Sequence, residues 1–270
     1  MTRKPRDAAE SLAAAAAAPR RLLLLDFDGT LCPLRRRPEL AHLTAAQRAL
    51  LRALNQGRGR VAVVSGRSVE DLHKRVATRG LVYVGSFGLQ SSGPDWRWAH
   101  PRAHAARPAL RAFAGRLRLM FSDVPGALIE FKGSGICVHR RGVPPAHDAR
   151  FERRLRRARA VAPAGLRWRR GPLSWEVAPD VAWDKGRAAL ALWRRFDRPF
   201  LLAIGDDRPD EPMLRAARAR GAALRVGAGR SAARVRLKNP AAVWRFLRTL
   251  AERGRDELND QTLRAQKSGL

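Results

Sequence analysis

The sequence predicts an α/β protein, a doubly wound parallel sheet into which a smaller α+β domain is inserted. Three observations carry that expectation. Apolar runs of strand length, led by Leu22-Leu23-Leu24-Leu25, alternate with stretches of helical spacing. Several of these runs end in acids or in Ser-Gly pairs, at the carboxyl ends where open α/β sheets keep their ligands. Between about His104 and Pro179 the pattern changes to alternating segments paired around a Gly-Ser-Gly turn, the signature of a hairpin domain.

In chain order, Met1–Arg20 contains Asp7, Glu10 and an alanine tract from Ala13 to Ala18; it reads as a disordered or frayed helical tail whose charge order is not that of a signal peptide. The first core part, residues 21–103, opens on the leucine run as a buried strand. Thr44–Gln56 has helical spacing and stops before Gly57, and Val61–Val64 is a second buried strand. Ser68 caps a helix through Val76, and Leu81–Val84 is a third strand. In the inserted domain, residues 104–180, a helix is expected over Ala109–Met120. Strands follow over Leu128–Lys132 and Gly135–Arg141, then a very basic helix over His147–Val161 and a strand at Ser174–Val177. The second core part, residues 181–252, holds a helix over Asp184–Phe196, strands at Phe200–Ile204 and Ala222–Val226, and a helix from Pro240 to about Leu250. Residues 253–270 are polar and read as a second loose tail.

Composition excludes several classes. No run of about 18 apolar residues exists, so no membrane span is expected. Cys32 and Cys137 stand alone, without disulfide or metal spacing, which points to a reducing cytoplasm. The net charge of +30 suggests nucleic acid, but 48 of the 54 basic residues are arginines scattered along the chain, with no aromatic-basic repeat. That scatter reads as compositional bias, and nucleic acid is not expected as the primary partner.

The chemistry concentrates in Asp26-Phe27-Asp28-Gly29-Thr30-Leu31. Residues two apart in extended backbone share a side, so Asp26 and Asp28 can face one site, and two acids at a strand end are costly to fold unless a cation or a proton uses them. A second acidic loop, Gly205-Asp206-Asp207-Arg208-Pro209-Asp210-Glu211, ends a later strand; its carboxylates repel one another, and Asp206 and Asp210 can converge across the turn. All-oxygen donors of this kind suit Mg²⁺. Lysine occurs only six times, which singles out Lys185 as a compact point charge that needs an anionic partner at a helix start.

The first motif resembles that of the haloacid dehalogenase (HAD) superfamily of phosphatases. That resemblance implies a HAD-like, Rossmann-like core with an α+β cap, and gives the residues roles. Asp26 is then the nucleophile that forms an aspartyl phosphate and Asp28 the general acid and base. Ser65, Gly66 and Arg67 bind the phosphoryl group, Lys185 neutralises charge, and Mg²⁺ is held by Asp26, Asp28 (through its carbonyl), Asp206 and Asp210. Over about Arg21–Leu250 the chain is similar to the trehalose-6-phosphate phosphatase family. The matching pieces include Glu130-x-Lys132, His139-x-Arg141, Glu176, Lys185-Gly186 and Gly205-Asp206-Asp207-x-x-Asp210-Glu211. The family resemblance assigns Glu130, Lys132, Arg141 and Glu176 to the sugar hydroxyls. It implies hydrolysis of trehalose 6-phosphate, with a small sugar phosphate as the partner; the lone cysteines add the cytoplasmic expectation, and the sequence does not fix whether the chain is a monomer. The alternatives are a capped phosphatase for another sugar phosphate and a non-catalytic regulatory subunit. Phe87, Arg140 and Pro209 depart from the family's usual histidine, aromatic residue and threonine.

Overall fold

A computed structural model describes residues 7–35, 38–171 and 173–268, the side chains of 38 and 255–268 excepted. It falls into two compact units, Met1–Arg97 with Trp183–Leu270, and Trp98–Ala182. The inserted unit thus begins six residues before the expected boundary and ends two after it.

The first unit is built on a sheet of eight strands in the order β12-β11-β10-β1-β2-β3-β4-β5. In chain order its elements are α1 (Ala8–Ala17), β1 (Arg21–Asp26), α2 (Ala45–Leu54), β2 (Gly59–Val64), α3 (Val69–Val76), β3 (Val82–Gly85), β4 (Gln90–Gly93) and β5 (Trp96–Ala99). After the insertion come α7 (Lys185–Arg195), β10 (Phe200–Gly205), α8 (Glu211–Arg220), β11 (Gly221–Val226), β12 (Val235–Leu237) and α9 (Pro240–Ser268). From β12 to β3 the pairing is parallel, and β4 runs antiparallel to β3. β1 is fully buried and lies between β2 and β10, with Leu24 opposite both Ala62 and Ala203. Alternation sends Leu23 and Leu25 into the layer shared with α1, α2, α3 and α9, and Leu22 and Leu24 into the layer of α7 and α8. The chain winds outward from β1 to β3 and later returns on β1's other side at β10. That reversal of strand order is where such sheets open a crevice. Ser68 caps α3 as expected, its hydroxyl accepting the Asp71 N–H at 3.1 Å.

The expected N-terminal tail is corrected. Residues 1–6 lie outside the described residues, but Ala8–Ala17 is a helix, N-capped by Asp7. Ser11, Leu12, Ala15 and Ala16 bury one stripe against α9 and β11, and the buried Arg21 guanidinium donates to the carbonyls of Ala15 and Ala16. Alanine is weakly apolar but is the best helix former, and its small side chain lets helices approach closely. Leu12→Ala should therefore cost about 2–3 kcal/mol in a denaturant titration, where a loose tail would show no change. Likewise α9 keeps helical backbone through Ser268, beyond the end expected near Leu250.

The inserted unit comprises α4 (Pro101–Ala105), α5 (Arg107–Met120), β6 (Leu128–Phe131), β7 (Ile136–His139), α6 (Asp148–Ala160), β8 (Leu166–Arg170) and β9 (Ser174–Pro179). Its four strands form an antiparallel sheet in the order β6-β7-β9-β8. Ile136, Val138 and Val177 pack against Phe113 and Leu117 of α5 and Phe151 and Leu155 of α6, so the helices cover one sheet face. Alternation then puts Glu130, Cys137, His139 and Glu176 on the other face.

Candidate active site

The catalytic candidates of the first unit gather where β1, β2 and β10 end. After Asp26 the chain turns so tightly that the N–H groups of Leu31 and Cys32 both reach the Phe27 carbonyl. Gly29 sits at φ +85°, and a Cβ there would lie 2.1 Å from Asp206 Oδ2. Only glycine lets the two acidic loops come this close. Thr30 donates its hydroxyl to Asp206 at 3.2 Å. Gly29→Ala should accordingly push the loops apart, lowering the unfolding midpoint and metal affinity together; calorimetry with and without Mg²⁺ measures both.

Lys185 finds the anionic partners its position called for. It is the first residue of α7, 3% exposed, and Nζ donates to Asp26 at 2.7 Å, Asp210 at 2.6 Å and the Val64 carbonyl at 3.3 Å. Asp210 is equally buried, and its second oxygen accepts the N–H groups of Asp206 and Asp207 at 3.0 and 3.1 Å. It organises the loop as well as facing the lysine.

The electrostatics are one-sided. Asp26, Asp206 and Asp210 each bring a carboxylate oxygen within 4.8 Å of the others, against one ammonium. Burial, and then the Asp210 charge, raise the Asp26 carboxyl well above its ordinary range, Lys185 opposing. Burial and Asp210 likewise raise Asp206 to about 6. Burial works against the Lys185 charge, yet Asp210 and Asp26 outweigh it and hold the ammonium above the usual lysine value. An excess of negative charge among oxygen-only donors fits a hard divalent cation of the Mg²⁺ class.

The remaining motif residues are also found near these strand ends. Ser65 is buried at the end of β2, its hydroxyl accepting the Arg67 N–H at 3.2 Å. A Cβ on Gly66 would lie 2.6 Å from the Phe87 ring. Phe87 and Ser86 are consecutive non-glycine residues at φ +58° and +51°, local backbone strain of the kind that collects at functional sites. Arg67 was expected on a phosphoryl group. In the structure its Nε and Nη2 grip both oxygens of Asp28, at 2.6 and 2.7 Å, and Nη1 reaches Asp71 at 2.8 Å. A planar fork matches a carboxylate as well as it matches a phosphate, and Asp28 is the nearer anion. Asp26 and Asp28 therefore point to different partners, Lys185 and Arg67. Asp71 was missed by sequence reasoning; its position in the first turn of α3, four residues after Arg67, was the available signal.

In the inserted unit, three of the four sugar candidates come together. Lys132 Nζ lies 3.0 Å from Glu176 and 3.8 Å from Glu130. Burial opposes its charge, but Glu176 first, with Cys137 and Glu130, keeps it above the ordinary lysine range. Arg141 is exposed in the turn after β7.

Comparison with known proteins agrees with this geometry. The family model described as Trehalose-phosphatase matches residues 24–240. An uncharacterized glycosyl hydrolase of Mycobacterium tuberculosis is 36% identical over 242 residues, which cover 85% of this chain and 18% of that protein. A trehalose-phosphate phosphatase of Mycobacterium marinum is 33% identical over 249 residues, 86% of this chain and 62% of the relative. The chain thus spans less than two thirds of the curated relatives it matches. Among solved structures, a trehalose-6-phosphate phosphatase related protein superposes with a TM-score of 0.78 at 21% identity, covering 87% of this chain and 99% of that one, a likeness of fold.

Proposed function

This chain belongs to the trehalose-phosphatase family, and we propose that it hydrolyses trehalose 6-phosphate to trehalose and inorganic phosphate through an aspartyl phosphate. The observation that carries the reading is the Asp26 carboxylate, buried in a cluster with excess negative charge and held 2.7 Å from Lys185. Asp26 attacks phosphorus as the bond to the sugar O6 breaks, and Asp28 gives that oxygen its proton. Asp28 then takes a proton from water as the water attacks the aspartyl phosphate, which releases phosphate and restores Asp26. Lys185 and the Ser65 hydroxyl hold the phosphoryl oxygens through both steps. Mg²⁺, held by Asp26, Asp206, Asp210 and the Asp28 carbonyl, would supply Lewis-acid charge to the same oxygens. Arg67 fixes the Asp28 side chain until substrate arrives.

Glu130, Lys132 and Glu176 present charged groups on one sheet face, the type that makes the stronger hydrogen bonds to sugar hydroxyls; Arg141 is assigned to the same sugar on the family resemblance alone. No helix among the described residues is long and apolar enough to cross a membrane. Two unpaired cysteines are consistent with a cytoplasmic location. The test is phosphate release from trehalose 6-phosphate, glucose 6-phosphate, sucrose 6-phosphate and p-nitrophenyl phosphate, with and without Mg²⁺. Metal-dependent release from trehalose 6-phosphate alone supports the reading. Preference for another sugar phosphate would keep the mechanism and discard the sugar assignment, and no release from any of them would refute both.

A further inference from the structure

Asp28 belongs to a row of charges that runs from the end of β1 onto α3. Arg67 Nε and Nη2 donate to its two oxygens at 2.6 and 2.7 Å, and Arg67 Nη1 donates to Asp71 Oδ2 at 2.8 Å. Arg75 Nε donates to the same Asp71 oxygen at 2.6 Å, and Arg75 Nη1 to the Glu39 carbonyl, also at 2.6 Å. Anion and cation alternate along the row, so Asp71 stands between two guanidinium groups. Burial works against the Asp71 charge, yet Arg75 and Arg67 hold its carboxyl below the ordinary aspartate range.

Arg67 is fixed at both ends. Its N–H donates to the Ser65 hydroxyl at 3.2 Å, its carbonyl accepts the Ser86 N–H at 2.6 Å, and its guanidinium carbon lies 5.4 Å from the centre of the buried Phe27 ring. Its side chain is 11% exposed against 34% for Asp28, so the carboxylate is the partner with room to move. A general acid has to turn from the fork to reach a leaving oxygen, and what Arg67 then does depends on its other arm. Nη1 on Asp71 keeps the guanidinium in place; without that arm a long side chain regains its rotamers and can follow Asp28 or swing to solvent. Asp71 also lies in the first turn of α3 and pairs with Arg75 four residues on, both of which support the helix. Those roles do not account for Arg67, which precedes the Ser68 cap and lies outside the helix.

Resting on the functional reading above, we propose that Asp71 is a positioning residue for the general acid. It anchors Arg67 by Nη1, so that the Nε–Nη2 edge holds Asp28 in one orientation and is still there to receive it once the proton has passed to the leaving oxygen. Asp71 therefore acts only in steps where Asp28 moves a proton. Departure of a sugar alkoxide needs that proton; departure of nitrophenolate, which is stable as the anion, does not.

The test is dependence on the leaving group. Asp71→Ala should lower kcat for trehalose 6-phosphate about 10–10²-fold and leave KM within about threefold of the wild type. In single turnover with p-nitrophenyl phosphate, its release of nitrophenolate should stay within about threefold of the wild type. Glu70→Ala is the control: Glu70 is an exposed acid in the same first turn, so its loss removes the same helix-dipole support and should leave both rates unchanged. Asp71→Asn keeps an oxygen for Arg67 and should fall between, and it serves should Asp71→Ala fail to fold. Equal losses on the two substrates, a rise in KM with kcat unchanged, or the same loss in Glu70→Ala would make Asp71 a stabiliser of α3 alone and overturn the role. The wild type tells the two failures apart. No release from either phosphate removes the function and this role together, whereas an active wild type beside an unselective Asp71→Ala removes this role alone.

Discussion

Asp26→Asn should lower phosphate release from trehalose 6-phosphate by at least about 10³-fold, about 4 kcal/mol of lost transition-state stabilisation, without loosening the fold. The reasoning starts from the charge inventory. Asp26 is 5% exposed, and burial with the Asp210 charge raises its carboxyl well above the ordinary aspartate range even though Lys185 is 2.7 Å away. A carboxyl whose pKa is higher folded than unfolded binds more protons in the native state, so its stability contribution falls as pH climbs from about 4 through the raised folded value. Asparagine keeps an oxygen for the Lys185 hydrogen bond and removes the charge. Without metal at neutral pH, the variant should melt at or above the wild-type temperature, and the difference should vanish below about pH 4. Excess Mg²⁺ should reverse the order, since the wild type alone keeps the full ligand charge. Two measurements decide the matter: single-turnover phosphate release and thermal unfolding in chelator against Mg²⁺. Substantial turnover by the variant would remove Asp26 as nucleophile, and a large loss of metal-free stability would mean that the buried carboxylate is a net structural asset.

How much of this was legible beforehand depends on how local the determining physics is. The leucine run, the Asp26–Thr30 turn and the second acidic loop could be read because each is a contiguous string whose burial and repulsion follow from the string itself. The docking of α1 could not, because Ala15 and Ala16 bury against α9 and β11, elements more than 200 residues away in sequence. β8 escaped for a related reason. Leu166-Arg167-Trp168-Arg169-Arg170 does alternate, but its three arginines leave a solvated edge strand with little apolar signal. β12 is only three residues long. Arg67 shows the same limit at the site. Its neighbours in sequence do not show its partner Asp28, which lies 39 residues away and is brought opposite by the β1–β2 pairing. Cross-strand register likewise assembles the Glu130, Cys137, Glu176 row, which no spacing along the chain encodes. Lys185 sits between these cases: its rarity as a lysine marked it, and the fold supplied its two carboxylates.

Lys185→Met should be the most damaging single change to the metal-free protein, costing about 3–5 kcal/mol of stability at neutral pH. Methionine matches the length and much of the volume of the lysine stem, so packing is nearly conserved and the effect isolates the charge. What the variant leaves behind is Asp26 and Asp210, 5% and 1% exposed, facing each other with no cation between them. The hydrogen bond to the Val64 carbonyl goes too, which frees the end of β2 beside Ser65. Breaking a buried ion pair by removing one partner is far worse than replacing the whole pair, so Lys185→Met combined with Asp26→Asn should recover part of the loss, a coupling that a double-mutant cycle reads directly. Mg²⁺ should rescue the fold of Lys185→Met more than it stabilises the wild type, since the vacated charge raises demand for a cation, while phosphate release stays about 10²–10³-fold down because a preorganised donor to the phosphoryl oxygens is missing. Equal denaturation midpoints for Lys185→Met and wild type in chelator would show that the three-way contact does not carry the site. A rescue of activity along with stability by Mg²⁺ would make Lys185 a purely structural counter-ion and leave the chemistry to the carboxylates and the metal.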